Sequence, residues 1–244
     1  MVGHSFSSHR FDIRRLVSRI VIAAAFLQAA GCAPPEKSVR PGVNDEYKTT
    51  PVSTWVERFE SESREIFRER QKILDATGVR QGMSVADVGA GTGLFTEMFA
   101  KTVGEKGRVY AVDITPDFLT RIRERTEQAG LGNVTTILCT DRDSKLPAGS
   151  VDMVFLCDTY HHFEYPQSTL ASIRKALRSD GRFIVVDFER IEGKSRPWVL
   201  EHVRAGREVV TKEIEAAGFA LEKQVPTPFL SENYMLQFRR NRGK

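Results

Sequence analysis

Apolar positions recur along the chain with two alternating periods. Thr54 stands at an N-cap position, and Trp55, Phe59, Ile66, Phe67, Ile73 and Leu74 then follow at helical spacing until Gly78, which predicts a helix over 54–78. Beyond it, short apolar runs bounded by turn residues predict strands at 85–88, 108–113, 133–139, 151–158 and 183–188. Helical spacing fills the gaps: Leu94, Phe95, Met98, Phe99 and Val103 before Gly104, and Phe118, Leu119 and Ile122 after the Thr115-Pro116 start. Residues 165–177 continue the alternation, 178–182 form a turn, and 211–217 make a last helix ended by Gly218. Residues 219–225 and 234–238 form a final antiparallel pair around a Pro226-Thr227-Pro228 loop. The pattern predicts an α/β fold: a doubly wound, mostly parallel seven-stranded sheet with helices on both faces. Right-handed crossovers then bring every ligand loop to the strands' carboxyl ends.

The first such loop is the most informative. In Asp87-Val88-Gly89-Ala90-Gly91-Thr92-Gly93 a strand ends in an acid, glycines follow at every second position, and a helix resumes at Leu94. Glycines let the backbone turn sharply and approach a ligand closely, and the helix directs its free N–H groups and positive dipole end at that ligand. A phosphate-binding P-loop is excluded, because no lysine lies between Val85 and Ala100. A dinucleotide fingerprint fits poorly, since the third glycine comes one position early and Leu94 stands in its place. Asp87 would repel a pyrophosphate and attract an ammonium or hydroxyl group, which predicts a ligand carrying positive charge.

These residues resemble the first motif of the class I S-adenosylmethionine-dependent methyltransferases, a resemblance that extends over about 82–238. It implies the fold of that family, S-adenosyl-L-methionine as cofactor, and a turn of Gly89, Ala90, Gly91 and Gly93 packed against its methionine part. It also implies that an acid ending the second strand holds both ribose hydroxyls. Asp113 has that position, with Ile114 beside it. An acid after the third strand is implied near the adenine amino group. Asp141 and Asp143 are the two candidates, with Asp141 preferred because it directly follows the strand, and Arg142 is a candidate to cover the ring.

The end of the fourth strand is implied to face the transferable methyl group. Asp158, Tyr160, His161 and His162 lie there and supply groups that titrate near neutral pH, suited to removing a proton from an acceptor. The structural alternative has Asp158 fixing the turn while Tyr160 and one histidine pack under the next helix. No metal is expected, because adjacent histidines seldom point at one ion and no further Cys or His ligand is near in sequence. Trp198 and His202, in the aperiodic part 189–207 of an acceptor-pocket segment over 189–217, are candidates for an acceptor pocket. Trp55, Phe59 and Phe67 either line its mouth or pack in the core.

Composition changes this picture little. Of 244 residues 41% are hydrophobic and 28% charged, as in ordinary globular chains, and the net charge of +4 is concentrated at the two ends. Arg10, Arg14, Arg15 and Arg19 precede the apolar run 20–30, and Arg239, Arg240, Arg242 and Lys244 close the chain, so no nucleic-acid partner is expected. Residues 1–32 have the order of a signal segment: basic region, apolar run, then small residues. The run is shorter than the roughly 20 residues a membrane-spanning helix needs. Ala29-Ala30-Gly31-Cys32 resembles a bacterial lipoprotein box, with alanine where that box usually has leucine. Membrane attachment is expected only through a lipidated Cys32, and the location is the cell envelope or periplasm if the signal is used and the cytoplasm otherwise. A flexible linker over 33–53 precedes a methyltransferase domain over 54–244, with a cofactor-binding core at 82–188. The strand order that the resemblance implies keeps the strands ending at Cys139 and Cys157 apart, so no disulfide is expected between them. The function expected is methyl transfer to a small-molecule acceptor. The alternatives are an exported non-catalytic binding or scaffold protein of the same fold and, less in keeping with Asp87, an NAD(P)-dependent oxidoreductase.

Overall fold

The computed structural model describes residues 1–4, 35–61 and 64–241. It divides into two units, residues 1–35 and 36–244. Most of the expected signal segment, Cys32 included, lies outside the described residues. No helix among the described residues is long and apolar enough to cross a membrane.

The second unit is built on a seven-stranded sheet ordered β3-β2-β1-β4-β5-β7-β6. Its strands are β1 Ser84–Val88, β2 Arg108–Asp113, β3 Val134–Leu138, β4 Val151–Cys157, β5 Leu177–Phe188, β6 Phe219–Gln224 and β7 Asn233–Arg240. The first five pair in parallel, and β7 runs antiparallel to both β5 and β6. Strand order reverses between β1 and β4, so the crevice at their carboxyl ends is the expected ligand site of a doubly wound sheet. The central strands are apolar because helices cover both faces: α5 Leu94–Val103 and α6 Pro116–Gln128 in the first half, α7 Pro166–Ala176 and α9 Arg207–Ala216 in the second. Phe95, Phe99, Met153 and Phe155 pack on one face, and Leu156, Leu170, Phe183 and Phe219 on the other.

Three expected boundaries change. The helix predicted over 54–78 is divided into α2 Val52–Phe59, α3 Glu65–Arg68 and α4 Arg70–Thr77. Its apolar residues serve two different patches: Trp55 stacks on Tyr47 with ring centres 4.4 Å apart, while Ile66, Ile73 and Leu74 pack with Phe95 and Phe99. The stretch expected to be a flexible linker is packed from Glu36 onward and carries α1 Asp45–Thr49. The Glu36 carboxylate accepts the N–H groups of Gln167 and Ser168, each at 2.8 Å, and so caps the start of α7. Finally, β5 begins at Leu177, where the helix was expected to end, and runs through 178–182, where a turn was predicted. Leu177 pairs with Val151 and Arg182 with Met153, so residues 178–181 bulge out of the strand.

Candidate active site

A cavity of about 850 Å³ opens at the carboxyl ends of β1, β2 and β4, within the size range of small-molecule sites. The glycine turn forms its floor. Gly89 and Gly91 adopt φ of +73° and +53°, and a Cβ at Gly89 would come within 2.2 Å of Thr159 Cγ2. Gly93 is different: it does not line the cavity, and a Cβ there would meet Ile122 Cγ1 at 2.7 Å, so this glycine serves helix packing.

Asp87 is 3% exposed and accepts the Thr96 hydroxyl at 2.7 Å. Burial lifts its pKa to about 7, and no cation among the described residues compensates it. Asp113 is held by two backbone donors, Gly91 N–H and Thr115 N–H, both at 2.9 Å, which lock its carboxylate under the glycine turn. Burial raises its pKa as well, against the pull of those donors. Ala90, Ile114 and Asp141 also line the cavity. Asp143 does not, because it pairs with Lys145 at 2.8 Å outside it. Arg142, expected over the adenine, is turned away: its guanidinium lies 3.3 Å from the centre of the Tyr165 ring and donates to the Glu36 carbonyl.

The four groups expected to act as catalysts separate. Asp158 lines the cavity with φ of +49°, unusual for a residue with a side chain. Its carboxylate is spanned by Arg64 at 2.5 Å and Asn233 at 2.6 Å, so it fixes the turn and the roof above it. Tyr160 is fully buried and its hydroxyl donates to Glu213 on α9 at 2.8 Å, away from the cavity. It packs in the core because the 3₁₀ turn Tyr160–His162 turns its ring under the sheet's second face. His161 does line the cavity, with Nδ1 2.7 Å from Asp187 at the end of β5. His162 Nε2 lies 3.1 Å from the Tyr47 hydroxyl and 3.3 Å from His202 Nε2. Burial holds His162 well below the usual histidine range and His202 at about 4, so both are neutral at pH 7 and poor as general bases.

His202 ends α8 Pro197–His202, on which Trp198 stacks against it at 4.7 Å. Trp198, His202 and Phe188 form one wall, and Trp55 and Phe59 line another; Phe67 does not line the cavity. Sequence reasoning missed Tyr47, Arg64 and Asn233. Tyr47 lies in a polar stretch without period, and Arg64 in a run of alternating charge that reads as a solvated face. No local signal distinguishes either. Cys139 and Cys157 are free thiols on the cavity wall, and burial pushes Cys139 up to about 12, which leaves it protonated.

A protein-family profile described as a methyltransferase domain matches residues 80–234. The curated ubiquinone/menaquinone biosynthesis C-methyltransferase UbiE of Escherichia fergusonii is 30% identical over 118 residues, 48% of this chain and 47% of that protein. The chain thus spans about half the length of the curated relatives it matches. Among solved structures, a SAM-dependent methyltransferase from Aquifex aeolicus shares 26% identity and a TM-score of 0.67, covering 78% of this chain and 98% of that one. The [4+2]-cyclase SpnF shares the fold at 14% identity, with a TM-score of 0.66 and coverage of 86% and 98%.

Proposed function

Because the chain belongs to the methyltransferase-domain family, we propose that it is a class I methyltransferase that uses S-adenosylmethionine to methylate a small-molecule acceptor seated against Trp198, His202 and Phe188. The observation that carries this reading is the shared cavity: the acids of the glycine-turn side and the aromatic and histidine wall line the same space. The residues fit the cofactor on the chain's own electrostatics. Among the described residues no cation compensates the buried Asp87 carboxylate, and a ligand ammonium group supplies one. Gly89 makes room for Thr159, whereas Gly91 leaves cavity space open to a ligand, with Phe59 Cε2 the nearest atom at 3.8 Å from a Cβ placed there. Asp113, oriented by Gly91 and Thr115, accepts the two ribose hydroxyls, and Asp141 accepts from the adenine amino group.

Bound S-adenosylmethionine supplies an electrophilic methyl group on sulfur. The protein's part is to align the acceptor and exclude water, because an in-line displacement depends above all on positioning. Tyr47, Trp55 and Phe59 cover the cavity, and the Arg64–Asp158 pair ties that cover to the end of β4. The histidine wall orients the acceptor.

Calorimetric titration with S-adenosylmethionine is expected to show one saturable site per chain. Methyl-labelled cofactor incubated with a cell extract is expected to pass its label to the small-molecule fraction. Label confined to protein or nucleic acid would rule out the proposed acceptor class.

A further inference from the structure

The expectation that no metal binds rests on two grounds: adjacent histidines seldom point at one ion, and His161 and His162 lack a third ligand nearby in sequence. The fold supplies it: α8 brings His202 against both, and one nitrogen of each of the three rings lies within 4.8 Å of the other two. We infer that His161, His162 and His202 bind a single divalent transition-metal ion of the zinc type on the acceptor side of the cavity.

Three observations carry this. The first is spacing. With Zn–N bonds of about 2.0–2.1 Å, two imidazole nitrogens on one tetrahedral ion stand roughly 3.3–3.4 Å apart, and His162 Nε2 and His202 Nε2 are 3.3 Å apart. The second is valence. A ring nitrogen has one in-plane bonding direction, as donor or as acceptor. His162 Nε2 is nonetheless approached by His202 at 3.3 Å and by the Tyr47 hydroxyl at 3.1 Å, so ordinary hydrogen bonding does not account for both. An ion between the rings replaces the nitrogen–nitrogen contact and leaves Tyr47 beside it.

The third is the support around the rings. Asp187 Oδ1 lies 2.7 Å from His161 Nδ1, which leaves Nε2 to carry the lone pair. The same carboxylate accepts the N–H groups of His161 and Phe188 at 3.2 and 2.8 Å, so it is itself held in place. A carboxylate behind a histidine is how proteins orient a metal-binding imidazole. Trp198 stacked on His202 fixes the second ring. Imidazole nitrogens are ligands of the kind that zinc, cobalt and nickel accept. Three protein ligands leave a further position open, and it faces the cavity. There the ion takes the hydroxyl or thiol of an acceptor and favours its deprotonated form, the proton leaving to solvent. This acceptor role rests on the methyl-transfer reading, whereas metal binding does not.

The test titrates the metal-free full chain, carrying no histidine tag, with Zn²⁺ by calorimetry and with Co²⁺ by visible absorption. One equivalent of each is expected, with the intense absorption of four- or five-coordinate cobalt. His162→Ala and His202→Ala are each expected to weaken zinc binding at least tenfold. Asp187→Asn is expected to weaken it about 10- to 100-fold. Each variant is also titrated with S-adenosylmethionine, whose retained binding shows that the fold survives. No stoichiometric zinc binding, or unchanged affinity in folded His162→Ala and His202→Ala, overturns the site. Zinc binding without any cofactor binding would instead strike the methyl-transfer reading and leave the metal site standing.

Discussion

At the scale of single residues, the two buried acids have separable roles. Asp113 is pre-oriented by backbone donors on both oxygens, so it meets a ribose diol without rearrangement. Asp113→Ala is expected to weaken S-adenosylmethionine binding by about 1.5–3 kcal/mol, the range for hydrogen bonds to a charged group. Unchanged affinity in calorimetry would show that the ribose lies elsewhere. Asp87 predicts a pH dependence. Its carboxyl, raised to about 7 by burial, is largely protonated below that value in the free protein, whereas a cationic ligand selects the ionised form. Binding therefore releases a proton, and affinity should fall by about tenfold per pH unit as the pH drops below about 7. Asp87→Asn should bind more weakly and flatten that profile; a wild-type affinity that is level from pH 5 to 8 contradicts the assignment.

At the scale of elements, what was legible in the sequence is what depends on local pattern. The glycine turn, the strand ends at Val88 and Asp113 and the helix stop at Gly104 could be read because period and backbone constraint are properties of neighbouring residues. The break in the predicted helix over 54–78 could not, because it arises from two apolar patches that meet different parts of the fold. His202 was legible as a wall residue but not as a neighbour of His161 and His162, since their proximity is made by the β4–β5 crossover and α8. Gly93 shows the opposite case, in which a motif residue belongs to packing. Its φ of +86° and the 2.7 Å approach of Ile122 to an added Cβ both oppose a side chain. Gly93→Ala is expected to cost about 1–3 kcal/mol of stability, through strain and overpacking at the start of α5. Urea unfolding measures this, and an unchanged midpoint would show that α5 and α6 can separate at no cost.

At the scale of the whole molecule, the reading of residues 1–32 as a signal predicts that the mature chain begins at Cys32 and carries lipid. Mass spectrometry of the protein from its native membrane fraction tests it, and an intact Met1 start would refute export by this route. The consequence turns on Glu36, whose carboxylate clasps the start of α7. Residues 36–51 would have reached roughly 3.3–3.6 Å each as an extended tether, but that length is committed to the folded unit. They therefore give the domain no leash: in a chain anchored at Cys32 the stretch 36–51 would add no reach, and the choice of acceptors would be limited by how little the domain could wander from its anchor.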